Sequence, residues 1–376
     1  MSGTCNASRE YFVNSDSIFD LPTPALVLDL DRLRANLERM GARAKSLGVS
    51  LRPHMKTHKC LEIAELQRSL GATGITVSTL YEAGVFADHG FDDITWAFPM
   101  IRSRIGEAVQ LAERVRLRVV ADSAETVEAL ERFGAPLEVL LKVDCGYHRA
   151  GVDPESETAL ALATSLSDSQ LLTFGGLISH SGNSYHADSV AQIEAVAESE
   201  RSLITKLASR LGKTGIRCET VSTGSTPAMC HVQNLAGVSE VRPGNYALFD
   251  YSQVALSSCD IADCATSVLA SVVSVPTQAS HSVIDAGALS LSQDPGPAGE
   301  ACFGQVYADY DRATLEDRVK VTSLSQEHGI LAGRMTPGQK IRILPNHSCL
   351  TTACHDEFVV VQGSRIVDRW KIWRGR

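Results

Sequence analysis

A chain of 376 residues with 44% hydrophobic content can bury one large domain and a smaller one, each around its own core. Acidic residues outnumber Lys and Arg by 44 to 35 and no basic cluster could track a phosphate backbone, which argues against nucleic acid as a partner. The first ten residues lack the build of a signal peptide, and no stretch stays apolar for the roughly 18 residues of a membrane helix; a cytoplasmic protein without membrane association is expected.

The first predicted elements are a strand over Ala25–Leu30 and a helix in which Leu33, Leu37, Met40, Ala44 and Leu47 recur at helical spacing. Eight apolar runs follow: Ser50–Arg52, Gly74–Val77, Asp93–Ala97, Leu117–Val120, Leu137–Val143, Phe174–Ser179, Cys218–Ser222 and Val241–Phe249. Helical patterns separate them, such as Ile63, Leu66 and Leu70, and the long run from Ala187 to Leu211 bounded by Gly212. Eight strand–helix units in about 200 residues predict an α/β fold, a TIM-like (β/α)8 barrel, with an open doubly wound sheet as the alternative. The leading strand–helix pair is surplus to that barrel. After Tyr251 the texture changes to strands over Ser267–Val275, His281–Ala286, Arg318–Leu324, Lys340–Leu344, Glu357–Gln362 and Arg365–Ile372, broken by Gly, Pro and Asp turns, which predicts a C-terminal all-β domain. The ten cysteines form no CxxC pair and read as reduced core thiols, Cys349 excepted.

Active sites of barrels lie at the C-terminal ends of the strands, and there the unusual polar residues collect. The first strand runs into Arg52-Pro53-His54-Met55-Lys56-Thr57-His58-Lys59, the fifth into Asp144-Cys145-Gly146-Tyr147-His148-Arg149, and the sixth into Ser179-His180-Ser181-Gly182-Asn183-Ser184-Tyr185-His186. The seventh ends in Ser222-Thr223-Gly224-Ser225-Thr226-Pro227, small residues whose backbone N–H groups can wrap an anion, and the eighth carries Arg242-Pro243-Gly244-Asn245-Tyr246. A phosphate site combined with a lysine points to a cofactor bearing a phosphate and an aldehyde, pyridoxal phosphate. Lys56 and Lys59 are both candidates for its Schiff base.

Together with Ser78-Thr79-Leu80-Tyr81-Glu82-Ala83, Val143-Asp144-Cys145-Gly146 and Pro345-Asn346-His347-Ser348-Cys349-Leu350-Thr351, these motifs resemble the D-serine dehydratase and D-threonine aldolase family, alanine-racemase-like enzymes of fold-type III. The likeness spans nearly the whole chain from Leu21. It implies that Lys56, the lysine of the Pro-His-x-Lys-Thr-His motif, carries the cofactor and that Lys59 is a bystander. It sets Arg149 against the cofactor's phenolic oxygen, Tyr185 among the cofactor contacts, and Gly224, Ser225, Thr226, Gly244, Asn245 and Tyr246 around the phosphate. It also implies a homodimer, and a β-rich domain of residues 1–30 and 251–376 beside a barrel of residues 31–250. One departure stands out: many relatives have Gly-His-Ser-Tyr where this chain has Gly182-Asn183-Ser184-Tyr185. An amide cannot act as a base, so any such role is absent here or falls to His180 or His186.

His347 and Cys349 alternate by two, so on a strand both side chains leave one face and can bind one ion. Thiolate with imidazole favours zinc, whereas the His-x-Asp pair of related aldolases suits manganese or magnesium. The expected activity is a metal-assisted dehydration of D-serine, D-threonine or D-threo-3-hydroxyaspartate to a 2-oxo acid and ammonia, with Lys56 removing the α-proton. The alternatives are aldolase cleavage to glycine and an aldehyde, racemisation, and a non-catalytic pyridoxal-phosphate-binding barrel. The β-rich extension with its own ligand pair argues against the last. The Gln326-Glu327-His328-Gly329 segment resembles a family motif that lines the site.

Overall fold

The computed structural model describes residues 17–376; the N-terminal stretch read above for a signal peptide, and Cys5, lie outside the described residues. Strand Ala25–Asp29 leads directly into helix Leu30–Ser46. Asp29 closes the strand and caps the helix, its carboxylate accepting from the backbone N–H groups of Asp31 (3.1 Å) and Arg32 (3.0 Å). The spacing of Leu33, Leu37, Met40 and Ala44 turns all four to the core.

Eight parallel strands follow in the spatial order Ser50–Leu51, Glu240–Val241, Thr220–Thr223, Leu172–Ile178, Leu137–Lys142, Arg116–Ala121, Asp93–Pro99 and Ile75–Val77. The two ends of this sheet meet. Thr73 N–H donates to Leu51 O and Thr76 N–H to Pro53 O, both at 2.9 Å, and His54 bridges Thr76 in parallel. That closure excludes the open doubly wound sheet. Each predicted strand begins within two residues of an observed one, but the last is much shorter than Val241–Phe249. Pro243 has no N–H to give to a ladder, and the chain turns instead into a short 3-10 helix, Asn245–Ala247.

Inside the barrel, below the functional end, lies a buried charged layer. Arg52 donates to Asp93 and Glu240, each at 2.8 Å, and Arg118 lies 3.4 Å from Glu240 and 3.3 Å from Asp93. Gly74 makes room for it, since a Cβ there would fall 2.0 Å from Arg52 Nη1.

The remaining strands form one sheet with Ala25–Asp29, which lies antiparallel to Thr266–Ser274 and parallel to Glu357–Gln362. His281–Ile284 pairs with both Gly329–Ala332 and Thr266–Ser274, so the strands between them curl into a closed ring. Two of its strands, Gln305–Asp309 and Gly329–Ala332, are absent from the sequence-based expectation. One continuous core joins helix Leu30–Ser46 to this sheet and to the barrel, with Leu33, Val241, Ile343 and Phe358 all buried in it. The two layers are therefore held firmly against each other, and among the described residues no helix is long and apolar enough to cross a membrane.

Candidate active site at the barrel mouth

The carboxyl ends of the barrel strands open on a cavity of about 190 Å³. After the first strand the chain forms a 3-10 turn, Met55–Thr57, with Met55 and Thr57 buried and Lys56 projecting between them into the cavity. His54 Nδ1 accepts from Lys56 N–H at 3.4 Å and fixes the start of that turn. Among the described residues Lys56 makes no ion pair. Lys59 is placed differently: it lies outside the lining, and its ammonium pairs with Glu82, which is 1% exposed.

The opposite wall is the expected anion cradle. Ser225 caps helix Thr226–His231, its Oγ accepting from Ala228 N–H at 3.3 Å, and both Ser225 and Thr226 line the cavity. Gly244 and Asn245 complete the wall. A Cβ at Gly244 would fall 2.9 Å from His54 O and from Thr57 Oγ1, so only glycine fits there. Two expected cradle residues stand behind the wall. Gly224 adopts φ +99° and donates its N–H to Glu200 Oε2 at 3.3 Å. Tyr246 sends its ring into the core, where its hydroxyl accepts from Gln67 Nε2 at 2.9 Å, while its N–H donates to Thr226 Oγ1 at 3.2 Å.

Tyr185 lines the cavity beside Thr226, and burial raises the pKa of its phenol. Its turn is tied to the cradle by Ser184 Oγ and Ser181 Oγ, 2.7 and 3.3 Å from Ser225 Oγ. Asn183 lies outside the lining with a buried, unpartnered Oδ1, whereas His180 and His186 both line the cavity. Burial, reinforced by Lys142 and Lys56, pushes the His180 pKa well below 6.5, and burial with Lys56 and Arg242 does the same to His54. Both imidazoles are thus held neutral.

Arg149 reaches the cavity with its guanidinium 5.0 Å from the Tyr147 ring centroid. Its loop is organised by Asp144, which accepts from Gly146 N–H (3.0 Å), His148 N–H (3.0 Å) and His148 Nδ1 (2.8 Å). A second cation, Arg242, was not singled out as a site residue from the sequence. It donates to Ser222 Oγ and Ser179 O, and although burial lowers its pKa to about 10 it remains charged at neutral pH. Its position in an Arg-Pro-Gly run at the end of the eighth strand was the available signal.

His347 and Cys349 also face the cavity, but not from a strand. Strand Lys340–Leu344 stops before Pro345, His347 is the residue preceding helix Ser348–Ala353, and Cys349 is the second residue of that helix. The pair still meets because His347 has extended rather than helical backbone angles (φ −140°, ψ 101°). Its ring faces the cavity together with Cys349, and its Nδ1 hydrogen-bonds Asp294 Oδ2 at 2.5 Å. Burial disfavours the imidazolium, yet the Cys349 thiolate and Asp294 together lift the His347 pKa to about 11. Burial likewise opposes the thiolate, and His347 nevertheless draws the Cys349 pKa down. Asp294 gave no signal in the sequence, 53 residues away in a Pro/Gly loop. Asn346 fixes that loop by donating to Asp294 O (3.0 Å) and Cys302 O (2.6 Å). Among the described residues no group of three or more His, Cys, Asp and Glu side chains is arranged to hold a metal ion, so an ion here would have this pair as its protein donors.

An unpaired lysine, a wall of small and hydroxyl residues and flanking guanidiniums thus meet at the mouth of a parallel barrel packed on a β-ring. Residues 28–252 match the alanine racemase N-terminal domain family and residues 265–361 the putative serine dehydratase domain family. The chain is 36% identical to D-threo-3-hydroxyaspartate dehydratase of Delftia sp. (strain HT23), covering 96% of this chain and 99% of that one. It is 35% identical to D-serine dehydratase of Dictyostelium discoideum, over 95% and 98% of the two chains, and 32% identical to D-threonine aldolase of Arthrobacter sp, over 95% and 93%. The solved structure of the Delftia enzyme superposes with a TM-score of 0.92, covering 96% of this chain and all of that one. Two further structures of that enzyme, with TM-scores of 0.92, replace a histidine and a cysteine two positions apart, the cysteine variant being in the metal-free form. The chain belongs to this alanine-racemase-like family, whose expected cofactor is pyridoxal phosphate.

The residues present fit that cofactor. Gly244 lets its backbone approach the turn that presents Lys56, Ser225 and Thr226 line the cavity at the start of helix Thr226–His231, and Lys56 shares that cavity. The thiolate–imidazole pair, with a carboxylate behind the imidazole, equally fits a divalent metal ion.

Proposed function

We propose that this enzyme dehydrates a D-configured β-hydroxy amino acid, D-serine, D-threonine or D-threo-3-hydroxyaspartate, to a 2-oxo acid and ammonia. The observation that carries the reading is the placement of Lys56 and the His347–Cys349 pair on one small cavity. When bound, the cofactor supplies an electron sink that acidifies the substrate's α-proton. Lys56 would hold the cofactor, and its amine is placed to take that proton. Ser225, Thr226, Gly244 and Asn245 bind the phosphate, with Gly224 and Tyr246 shaping the wall from behind. Arg149, which reaches the cavity, would favour the ionised form of the cofactor's phenol, and Tyr185 would bound its ring. His54 and His180, held neutral, can hydrogen-bond a substrate without adding charge.

His347 and Cys349 would hold the metal, with zinc favoured by the thiolate, and the ion would supply Lewis-acid help to a departing hydroxide. Asp294 would hold the imidazole in the tautomer whose Nε2 faces the ion. The metal-free form in which the cysteine variant of D-threo-3-hydroxyaspartate dehydratase was solved supports this assignment.

Residues 31–250 form the cofactor-binding unit in this reading, and residues 1–30 with 251–376 the unit that carries the metal pair. Homodimerisation fits the exposure of Leu289 and Leu350, 54% and 44%, on helices that pack together beside the cavity. Nine unpaired cysteines among the described residues fit a reducing cytoplasm.

The test is a product assay with pyridoxal phosphate and zinc or manganese, offering the three D-amino acids and their L-enantiomers. A 2-oxo acid with ammonia from the D-forms is expected. Glycine with an aldehyde would replace this reading by aldolase cleavage, and metal-independent racemisation by a His347→Ala, Cys349→Ala enzyme would replace it by a racemase.

A further inference from the structure

The last strand, Arg365–Lys371, is followed by a short tail that leaves the sheet and crosses to the barrel. Ile372 is buried and donates its N–H to Asp356 O at 2.8 Å. Trp373 then donates its N–H to Lys59 O at 2.7 Å. Its ring centroid lies 5.4 Å from that of His89, and Lys371 Nζ sits 3.7 Å from the Trp373 centroid. Gly375 presses on the Tyr81 ring, where a Cβ would fall 2.6 Å from Cε1. Arg374 reaches the other way. Its Nε lies 2.8 Å from Asp356 Oδ1 and its Nη1 donates to Ala353 O at 3.2 Å.

The two anchor points are what matter. Lys59 ends the turn that presents Lys56, and it holds a left-handed backbone (φ +50°) that costs a non-glycine residue about 1 kcal/mol or more. That conformation is secured at one end by the Lys59–Glu82 pair and at the other by the tail. Ala353 is the last residue of the helix that carries Cys349, and its carbonyl is one of those a helix terminus leaves unsatisfied. Two consecutive residues therefore tie the lysine turn to the far end of the metal-ligand helix. Those two elements also pack directly on each other, with Cys349 Sγ 3.3 Å from Thr57 Oγ1, and the tail braces that packing from its outer side.

We propose that Trp373 and Arg374 are positioning residues that hold Lys56 and the His347–Cys349 pair at their working separation across the cavity. The inference rests on the function proposed above for what that separation serves. A tail that merely sealed the sheet would bond along the sheet, whereas Trp373 N–H and Arg374 Nη1 reach the two elements facing each other over the cavity. Displacing either element leaves each half intact and spoils their mutual geometry. The expected signature is thus a loss in metal binding and turnover without a matching loss in cofactor loading.

The test compares wild-type enzyme, Arg374→Ala, Arg374→Lys and a chain ending at Ile372, all loaded with pyridoxal phosphate. Amide exchange read by mass spectrometry is expected to quicken in Arg374→Ala over residues 347–354, and in the truncated chain over residues 55–60 as well. Zinc and manganese dissociation constants should rise and kcat fall by about tenfold in Arg374→Ala, with KM and cofactor absorbance little changed. Arg374→Lys keeps the charge pair with Asp356 but cannot reach Ala353 O at the same time, so it should restore thermal stability more than metal affinity. Unchanged exchange in both segments would overturn the proposal. So would a lowered melting temperature with metal affinity and kcat unaltered, which is the mark of a plain structural seal. If wild-type enzyme yields neither 2-oxo acid nor ammonia, the function falls, while the exchange and metal-binding results still decide the tail.

Discussion

The two sides of the cavity are built on different principles. The barrel side is made of consecutive residues at strand ends, held by backbone geometry: a cap at Ser225, a gapless approach at Gly244, a 3-10 turn presenting Lys56. The side facing it is assembled from afar, with His347 oriented by Asp294, and Ser348 held through its N–H by Asp250 Oδ2 at 2.9 Å. Their electrostatics differ as well. Burial pushes the pKa values of His54 and His180 down on one side, while on the other His347 and Cys349 act on each other, raising the imidazole's pKa and lowering the thiol's. In the function proposed, the contrast means that the cofactor's phosphate is met by local backbone, whereas the metal pair depends on distant carboxylates.

The largest effect should come from the lysine itself. Lys56→Ala is expected to reduce turnover by about 10²–10⁴-fold and to abolish the cofactor's imine absorbance, leaving metal affinity within a few-fold of wild type. Loss of metal affinity in the same measurement would mean that the two sides do not separate as described.

Next comes the charged layer beneath both sides. Glu240→Gln leaves Arg52 and Arg118 short of a buried counter-charge, and should cost roughly 3–5 kcal/mol in urea denaturation. The pH sign is fixed. Burial opposes ionisation of Glu240, but Arg52 and Arg118 draw its folded pKa down from 4.5 to about 2. The stabilisation is therefore full above pH 4.5 and is lost as the pH falls toward 2, so wild type should lose more stability than Glu240→Gln across that window.

A smaller and more selective loss is expected from Asp294→Asn. It keeps the size of the side chain while removing the charge behind His347, and should weaken metal binding by about 10–100-fold without altering cofactor affinity. Calorimetry with zinc, alongside cofactor titration, separates the two. Equal losses in both would show that the sides are coupled through more than the cavity.

The same contrast governs how much was legible in the sequence. Strand-end motifs are contiguous, so Lys56, Ser225, Thr226, Gly244 and Asn245 could be placed before any fold was known, and all five line the cavity. Asp294 could not, because only folding brings it to His347. The His-x-Cys pair was recognisable, but alternation was the wrong reason: Pro345 ends the strand, and the extended backbone of His347 restores the contact. The run Val241–Phe249 looked like a strand because its residues are apolar and buried, yet Pro243 breaks the ladder and the burial is supplied by the shared core. Gln305–Asp309 and Gly329–Ala332 were missed because they are short, although each pairs with the strand beside it in sequence, Thr314–Leu324.

The smallest effect tests a residue whose motif was read correctly and whose direction was not. Tyr246 belongs by sequence to the phosphate motif, but its ring points away from the cavity and its hydroxyl accepts from Gln67. What it offers the cradle is its N–H, on Thr226 Oγ1, which substitution of the side chain does not remove. Tyr246→Phe should therefore cost about 1 kcal/mol, as Gln67 Nε2 loses its acceptor, and leave the cofactor's dissociation constant unchanged. A tenfold weaker cofactor in that variant would place the hydroxyl in the phosphate's own contacts. It would also mean that the barrel side, like the metal side, relies on side chains reaching in from elsewhere.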